Sequence, residues 1–273
     1  MRESIYMVEC KDVSYIYTDG TVALSHMDFS TANGQVIGVV GSNGAGKSTL
    51  FKCLTGIIKP TTGHLTYGHQ PIKYDKKSLQ DLRKKVNIVL QGVEKQIFLP
   101  IVKDDIAFGP RNLRMSSDIV ERKTLEAIKI TALESCKDKL IHNLSYGQKK
   151  RVAIAGVLAL NPEIIIFDEP EAGLDPYMKQ QMVLLIKALS ESGKTIIMAS
   201  HNMDFIYETC DYVYLLKKGN PIADGTPKDI LGDYELMVTA DMEMPWILKV
   251  CHQLNIPPVD SEENLFKMVK GQN

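Results

Sequence analysis

The chain has 273 residues, 44% hydrophobic and 24% charged, with a formal net charge of −1 at pH 7. That length holds one large domain or two small ones, and the absence of basic excess argues against wholesale nucleic-acid binding. Its five cysteines, Cys10, Cys53, Cys136, Cys210 and Cys251, are widely spaced without a C-x-x-C pair, which reads as reduced cytosolic thiols rather than a disulfide frame or a zinc site.

Met1-Arg2-Glu3-Ser4 has no apolar signal core. Residues 5–13, with Tyr15 and Tyr17 beyond, predict a strand that turns at Thr18-Asp19-Gly20, and residues 22–29 predict a second. Asn33-Gly34 makes the turn into an apolar run over 36–40. That run leads into Gly41-Ser42-Asn43-Gly44-Ala45-Gly46-Lys47-Ser48-Thr49, which fits G-x-x-x-x-G-K-[ST] at every position. Glycines let successive backbone N–H groups turn inward toward phosphate oxygens, and a helix starting near Gly46 adds its positive end. Lys47 then reaches the β/γ-phosphates, and the Ser48 hydroxyl is a ligand for Mg²⁺.

Residues 59–63 end the first helix, and residues 86–90 predict a short buried strand. From Gln91 to about Leu144 the pattern turns helical, with Ile119, Leu125, Ile128 and Ala132 expected on one face. Leu144-Ser145-Tyr146-Gly147-Gln148 opens a helix with Ser145 as N-cap, an arrangement that suits an ordinary capped helix as well as an anion site. The run 164–167 ends in Asp168-Glu169. A buried strand would deliver Asp168 to its C-terminal end to hold Mg²⁺, directly or through water, with Glu169 placed to orient or deprotonate an attacking water. Residues 178–189 predict a helix, and 195–199 and 212–216 predict strands. The alternation implies an α/β fold: a P-loop core with a mostly parallel sheet, an N-terminal antiparallel β part, a helical insertion over about 92–160 and a C-terminal helical tail. No apolar run reaches the length a bilayer span needs, so any spanning part belongs to another chain.

These motifs, in this order, resemble an ABC-transporter nucleotide-binding domain. Leu144 to Gln148 is similar to the family's signature sequence, Gln91 to the Q-loop glutamine, and Ala172-Gly173-Leu174-Asp175 to the D-loop. His201 is similar to the switch histidine and Tyr17 to the aromatic that stacks on adenine. The match covers residues 1–231, leaving 232–273 as a tail. The stretch Gln96-Ile97-Phe98-Leu99-Pro100 leading into Asp104-Asp105-Ile106-Ala107-Phe108-Gly109-Pro110, together with Tyr146 and the tail, narrows the resemblance to the energy-coupling factor (ECF) type. Gly92-Val93-Glu94-Lys95 departs from that group's usual sequence on the face expected to meet a membrane partner.

The resemblance implies an ATPase at the cytoplasmic face of the membrane, with ATP and Mg²⁺ as cofactors. It implies a homodimer, or a heterodimer with a similar ATPase, working with a transmembrane coupling subunit and a substrate-binding membrane subunit, and no nucleic acid. Each ATP would lie between Gly41 to Thr49 of one subunit and Ser145, Tyr146, Gly147 and Gln148 of the other. The cargo would be cobalt, nickel or a vitamin. Catalysis would fall to Glu169, His201 and Gln91, the metal to Ser48, Gln91 and Asp168, and D-loop contacts at the dimer to Asp175. A soluble ABC ATPase acting on nucleic acid or the ribosome is the competing reading; it calls for a long coiled coil between Gln91 and Leu144 or for a second cassette. An unrelated P-loop kinase would have no use for Leu144 to Gln148. In the tail, Pro245 is expected to start a helix with Trp246, Ile247, Val250 and Leu254 on one apolar face. Ser261 is expected to start a second, carrying Leu265, Phe266 and Val269. That surface is expected either to hold two subunits together or to fold back on its own domain.

Overall fold

Two sheets organise the chain in the computed structural model, which describes residues 7–33 and 35–270. The sequence readings at Ile5, at Met1 to Ser4, at Gly34 and at residues 271–273 lie outside the described residues. The first sheet is antiparallel, in the order β2-β1-β4-β5: β1 Val8–Ile16, β2 Val22–Ser30, β4 Thr62–Tyr67 and β5 Gln70–Pro71. The second runs β10-β9-β3-β8-β7-β6, with β3 Val36–Val40, β6 Val86–Val89, β7 Ile164–Asp168, β8 Thr195–Ala199, β9 Tyr212–Lys217 and β10 Asn220–Gly225. All its pairings are parallel except that of β10 with β9.

The central strands are buried on both faces, which is why they read as unbroken apolar runs. Alternation splits their side chains between two cores. Val36, Val40, Ile165, Phe167, Ile196 and Met198 face one core, and Ile37, Val39, Ile164, Ile166, Ile197 and Ala199 face the other. The second core is closed by the antiparallel sheet and by α1, Lys47–Leu54, with α2, Lys76–Lys85, at its edge through Leu82. The first is closed by the inserted helices α3 (Val102–Asn112), α4 (Ser117–Ile130) and α5 (Tyr146–Leu158), and by α6 (Pro176–Glu191) and α7 (Met203–Thr209).

The tail helices are α8 (Pro227–Leu231), α9 (Tyr234–Thr239), α10 (Trp246–Leu254) and α11 (Glu262–Val269). They pack on that same core through Met237, Ala240, Ile247, Leu248, Cys251 and Leu265. All five cysteines are buried and free.

Two expected faces are rotated, and the second tail helix carries its expected residues with one of them buried. On α4 the buried set is Val120, Thr124, Ala127 and Ile128, while Ile119 and Leu125 are exposed and Ala132 lies beyond the helix. The buried residues follow i, i+4, i+7, i+8; the expected face started one residue too early and mixed two stripes. Ile247, Leu248 and Cys251 of α10 are buried, whereas Trp246 and Leu254 are exposed. Pro245 is its N-cap rather than its first helical residue. On α11 Ser261 does cap the helix, accepting from Asn264 N at 3.2 Å, but only Leu265 is buried.

Candidate nucleotide site

Residues 41–49 connect the end of β3 to α1. Gly41, Gly44 and Gly46 take φ of +151°, +79° and +102°. A Cβ would lie 2.3 Å from Leu216 O at Gly41 and 2.5 Å from Ala23 O at Gly46, so no side chain fits where the loop passes β9 and β2. Gly46 is the N-cap of α1 and supplies no side-chain cap. The first-turn amides of that helix are therefore left to an anion, in a loop whose backbone already curves inward. Lys47 is buried, and its Nζ donates to Gly41 O at 2.6 Å and Ser42 O at 3.2 Å, lying along the loop. Burial pulls its pKa down, against the pull of Glu169 and Asp168.

Tyr17, just past β1, shares a hydrogen bond with Thr49 Oγ1 at 3.1 Å and packs edge-on against Tyr15. Its ring walls a cleft of ≈ 330 Å³ with the phosphate loop, Gln91, Asp168, Glu169 and His201. The expected adenine neighbour thus lines the cleft beside the loop.

Asp168 ends β7 and accepts from Ser48 Oγ at 3.2 Å. Burial raises its carboxyl pKa, and the Ser48 hydrogen bond works the other way. Glu169 comes next with φ +53°, a left-handed backbone rare for a residue with a side chain. Its N–H donates to Ala199 O at 2.9 Å. Its carboxylate accepts from Gln91 Nε2 at 2.6 Å on Oε2 and lies 3.1 Å from His201 Nε2 on Oε1. Gln91, Asp168, Glu169 and His201, from three separated segments, therefore meet across the mouths of parallel strands, where α/β sheets place ligands.

The N-terminus of α5 is built differently. Ser145 Oγ accepts from Gln148 N at 3.3 Å, and Gln148 Oε1 accepts from Ser145 N at 3.0 Å, a reciprocal capping box. The serine hydrogen remains available to donate outward, with the amides of Tyr146 and Gly147, which have no intrahelical acceptor. Ser145, Tyr146, Gly147 and Gln148 stand outside the cleft lined by the phosphate loop. Tyr146 instead reaches back in its own chain. Its hydroxyl donates to Gln91 O at 3.4 Å, and its ring lies where a Cβ on Gly173 would come within 2.8 Å. Asp175 caps α6, accepting from Met178 N at 2.8 Å.

Several contributors escaped the sequence reading. Lys150, on α5, donates to Glu169 O at 3.0 Å and Ala172 O at 2.8 Å. Asp105 accepts the amides of Phe98 and Leu99 at 2.7 and 2.8 Å, and so shapes the segment after Gln91. Both are charged residues on the inward side of a helix, a placement that shows only in the fold. In that segment Phe98 is 65% exposed and stacks on Phe108, while Ile97 and Ile101 are half-buried. The tail also reaches the site, because Met242 and Met244 help wall a second cleft of ≈ 680 Å³ beside Glu169, His201 and Gly173.

Known proteins resemble this chain in sequence and fold. The profile of the ABC transporter family matches residues 24–172. The energy-coupling factor transporter ATP-binding protein EcfA of Methanocaldococcus jannaschii is 43% identical over 92% of this chain and 90% of its own. Among solved structures, CbiO1 of Clostridium perfringens, part of the ABC transporter complex cbiONQ, superposes with a TM-score of 0.79 at 38% identity, covering 90% of this chain and 99% of its own. The dimer of an ATP-binding cassette in a post-hydrolysis state, bound to ADP and Pi, superposes at 0.73 with 28% identity over 81% of this chain and 98% of its own.

Proposed function

The chain belongs to the ABC transporter family and is an ATPase, and from that premise we propose that it is the ATP-hydrolysing subunit of an energy-coupling-factor importer, working at the cytoplasmic face of a membrane. The observation that carries the reading is the meeting of Gln91, Glu169 and His201 at the mouth of the phosphate-loop cleft. No helix among the described residues is long and apolar enough to cross a membrane. The membrane passage thus falls to separate coupling and substrate-binding subunits, which also read the cargo, a cobalt or nickel ion or a vitamin. The nucleic-acid or ribosome reading has no support in the insertion, which folds as the short helices α3 to α5 with no long coiled coil.

In this scheme the amides of residues 41–49 and Lys47 hold the triphosphate, and Tyr17 meets the base. Ser48 and Asp168 present two hard oxygen donors side by side. That donor set suits Mg²⁺, which prefers oxygen and keeps several waters, and the ion supplies charge neutralisation at the phosphates. Glu169 takes a proton from the water as its oxygen bonds to the γ-phosphorus and the bond to the β-phosphate oxygen breaks, releasing ADP. Gln91 and His201 hold both carboxylate oxygens of Glu169, fixing its direction. A second subunit, identical or similar, presents Ser145, Tyr146 and Gly147 from the far side. ATP then favours the closed dimer and hydrolysis removes that preference. The segment from Gln91 to Arg111, with exposed Phe98 at its tip, docks the coupling subunit. The exposed apolar residues of the tail, Trp246, Leu254, Phe266 and Val269, contribute contacts between the two ATPases.

Purification of the tagged chain from its source membranes, followed by identification of the subunits retained and an uptake assay with radiolabelled cobalt, nickel and vitamins, tests the reading. Retention of two small membrane subunits and uptake abolished by Glu169→Gln support it. A chain that retains ribosomes or nucleic acid and no membrane protein overturns it.

A further inference from the structure

A lysine is an expensive residue to bury, and Lys150 is 1% exposed in α5, beside Val152, Ala153, Ile154 and Ala155. If that face of α5 served packing alone, an apolar residue would do better. What the ammonium does instead is donate to two main-chain oxygens, Glu169 O at 3.0 Å and Ala172 O at 2.8 Å, which bracket the turn leaving β7.

That turn contains the left-handed Glu169. A side-chain residue keeps such a backbone only where its surroundings over-determine it. Here the residue is gripped from both ends: its N–H by Ala199 O in β8 and its C=O by Lys150. The same turn holds a second buried charge. Glu171 is 5% exposed; its Oε1 accepts from the Ser200 hydroxyl, one residue before His201, and its Oε2 accepts no hydrogen bond among the described residues. Lys150 and Glu171 are electrostatically coupled. Burial pulls the lysine down to about 8 and pushes the glutamate up, and each opposes the other's shift. One helical turn before Lys150, Tyr146 lies on the same face of α5, its ring against Gly173 and its centre 5.6 Å from Lys150 Nζ.

We infer that Lys150, seconded by Glu171, is a positioning residue for hydrolysis: it ties the helix whose N-terminus meets the partner's ATP to the peptide that aims Glu169 in its own subunit. The inference rests on the assignment of Glu169 as the base. It gives α5 two outputs. Its capped end reads the nucleotide across the dimer, and its buried lysine carries any shift of the helix to the carbonyl of Glu169. The orientation of the base thereby depends on whether α5 is seated.

The test uses the full chain with Mg-ATP and follows melting temperature, ATP affinity and single-turnover hydrolysis. Lys150→Met and Glu171→Gln are each expected to lower the melting temperature, because each strands the other's charge. The double variant Lys150→Met/Glu171→Gln leaves neither charge and recovers most of that loss. ATP affinity stays within about twofold of the parent, yet hydrolysis stays at least about tenfold slow because both carbonyls have lost their donor. Replacing the methionine by glutamine, as Lys150→Gln/Glu171→Gln, returns two N–H donors without charge and is expected to raise the rate at least about threefold above the methionine version. Hydrolysis that recovers together with melting temperature in the methionine double variant, or no gain with glutamine, overturns the inference while leaving the base assignment in place. Glu169→Gln hydrolysing at near the parental rate overturns the base assignment and this inference with it.

Discussion

The two helix N-termini that the proposed function gives to phosphate are built in opposite ways. At α1 the cap is a left-handed glycine with no side chain, the amides are left open, and a buried lysine lies along the loop. At α5 the cap is a serine locked into a reciprocal box with Gln148, which takes up the amides of Ser145 and Gln148 and leaves a hydroxyl to donate. The first is a finished anion cradle. The second is a rigid, self-satisfied helix end that offers little alone and adds a few aimed donors when a charged ligand is already held. Under the proposed function, that difference would give affinity to α1 and closure to α5.

The largest expected effect sharpens that division by freezing the state in which both ends hold one ATP. Glu169→Gln should lower single-turnover hydrolysis by about 10²- to 10⁴-fold and accumulate an ATP-bound dimer in light scattering. A fall of less than about tenfold removes Glu169 from its role. In that trapped background, Lys47→Ala should weaken ATP binding about hundredfold, about 2.7 kcal/mol, with an ordinary melting curve. Titration calorimetry reads the affinity directly, and unchanged binding would break the assignment of affinity to α1. Ser145→Ala should leave the monomer's ATP affinity nearly unaltered, lower stability by about 1 kcal/mol through loss of the cap, and weaken the ATP-dependent dimer about tenfold. If its monomer affinity falls as far as that of Lys47→Ala, the two ends do not divide affinity from closure. The smallest effect concerns contacts remote from both ends. Phe266→Ser with Val269→Ser should loosen the nucleotide-free dimer several-fold by sedimentation and leave the trapped ATP dimer intact. Point changes suit this test better than deletion of the tail, because Met237, Ile247, Leu248 and Cys251 belong to the main core.

The division between the two ends also marks what the sequence made legible. The phosphate loop was readable because its glycines, lysine and serine meet a phosphate's demand for amides and charge within nine consecutive positions, although the close approach of Gly41 to β9 and of Gly46 to β2 is supplied by the fold. The central strands were equally plain, since burial on both faces leaves no room for polar residues. Helix faces were harder. On α4 and α10 several apolar residues point outward, so periodicity alone admitted a neighbouring stripe, and only tertiary packing, for α4 against α3 and α5, chose Val120 over Ile119 and Leu248 over Trp246. Lys150 and Glu171 were invisible for another reason. A charged residue near a helix start is ordinarily solvated, and nothing local reveals that its partners are carbonyls supplied by a turn that comes later in the chain. Tyr146 was readable as part of a motif, but its contacts with Gln91 and Gly173 were not.

The strand order also sets a timetable for the chain as it is made. β3 lies between β8 and β9, yet it ends at Val40 and its nearest partner in sequence begins at Thr195. At about 5–20 residues per second, the interval between their appearances is on the order of ten to thirty seconds. During it the phosphate loop is already synthesised but hangs from an unpaired apolar strand, and the first core waits longer still for the tail to seal it. The nascent chain thus carries the complete nucleotide motif well before it carries a site. Among the parallel strands, β3 is the one that a chaperone would need to shield for longest.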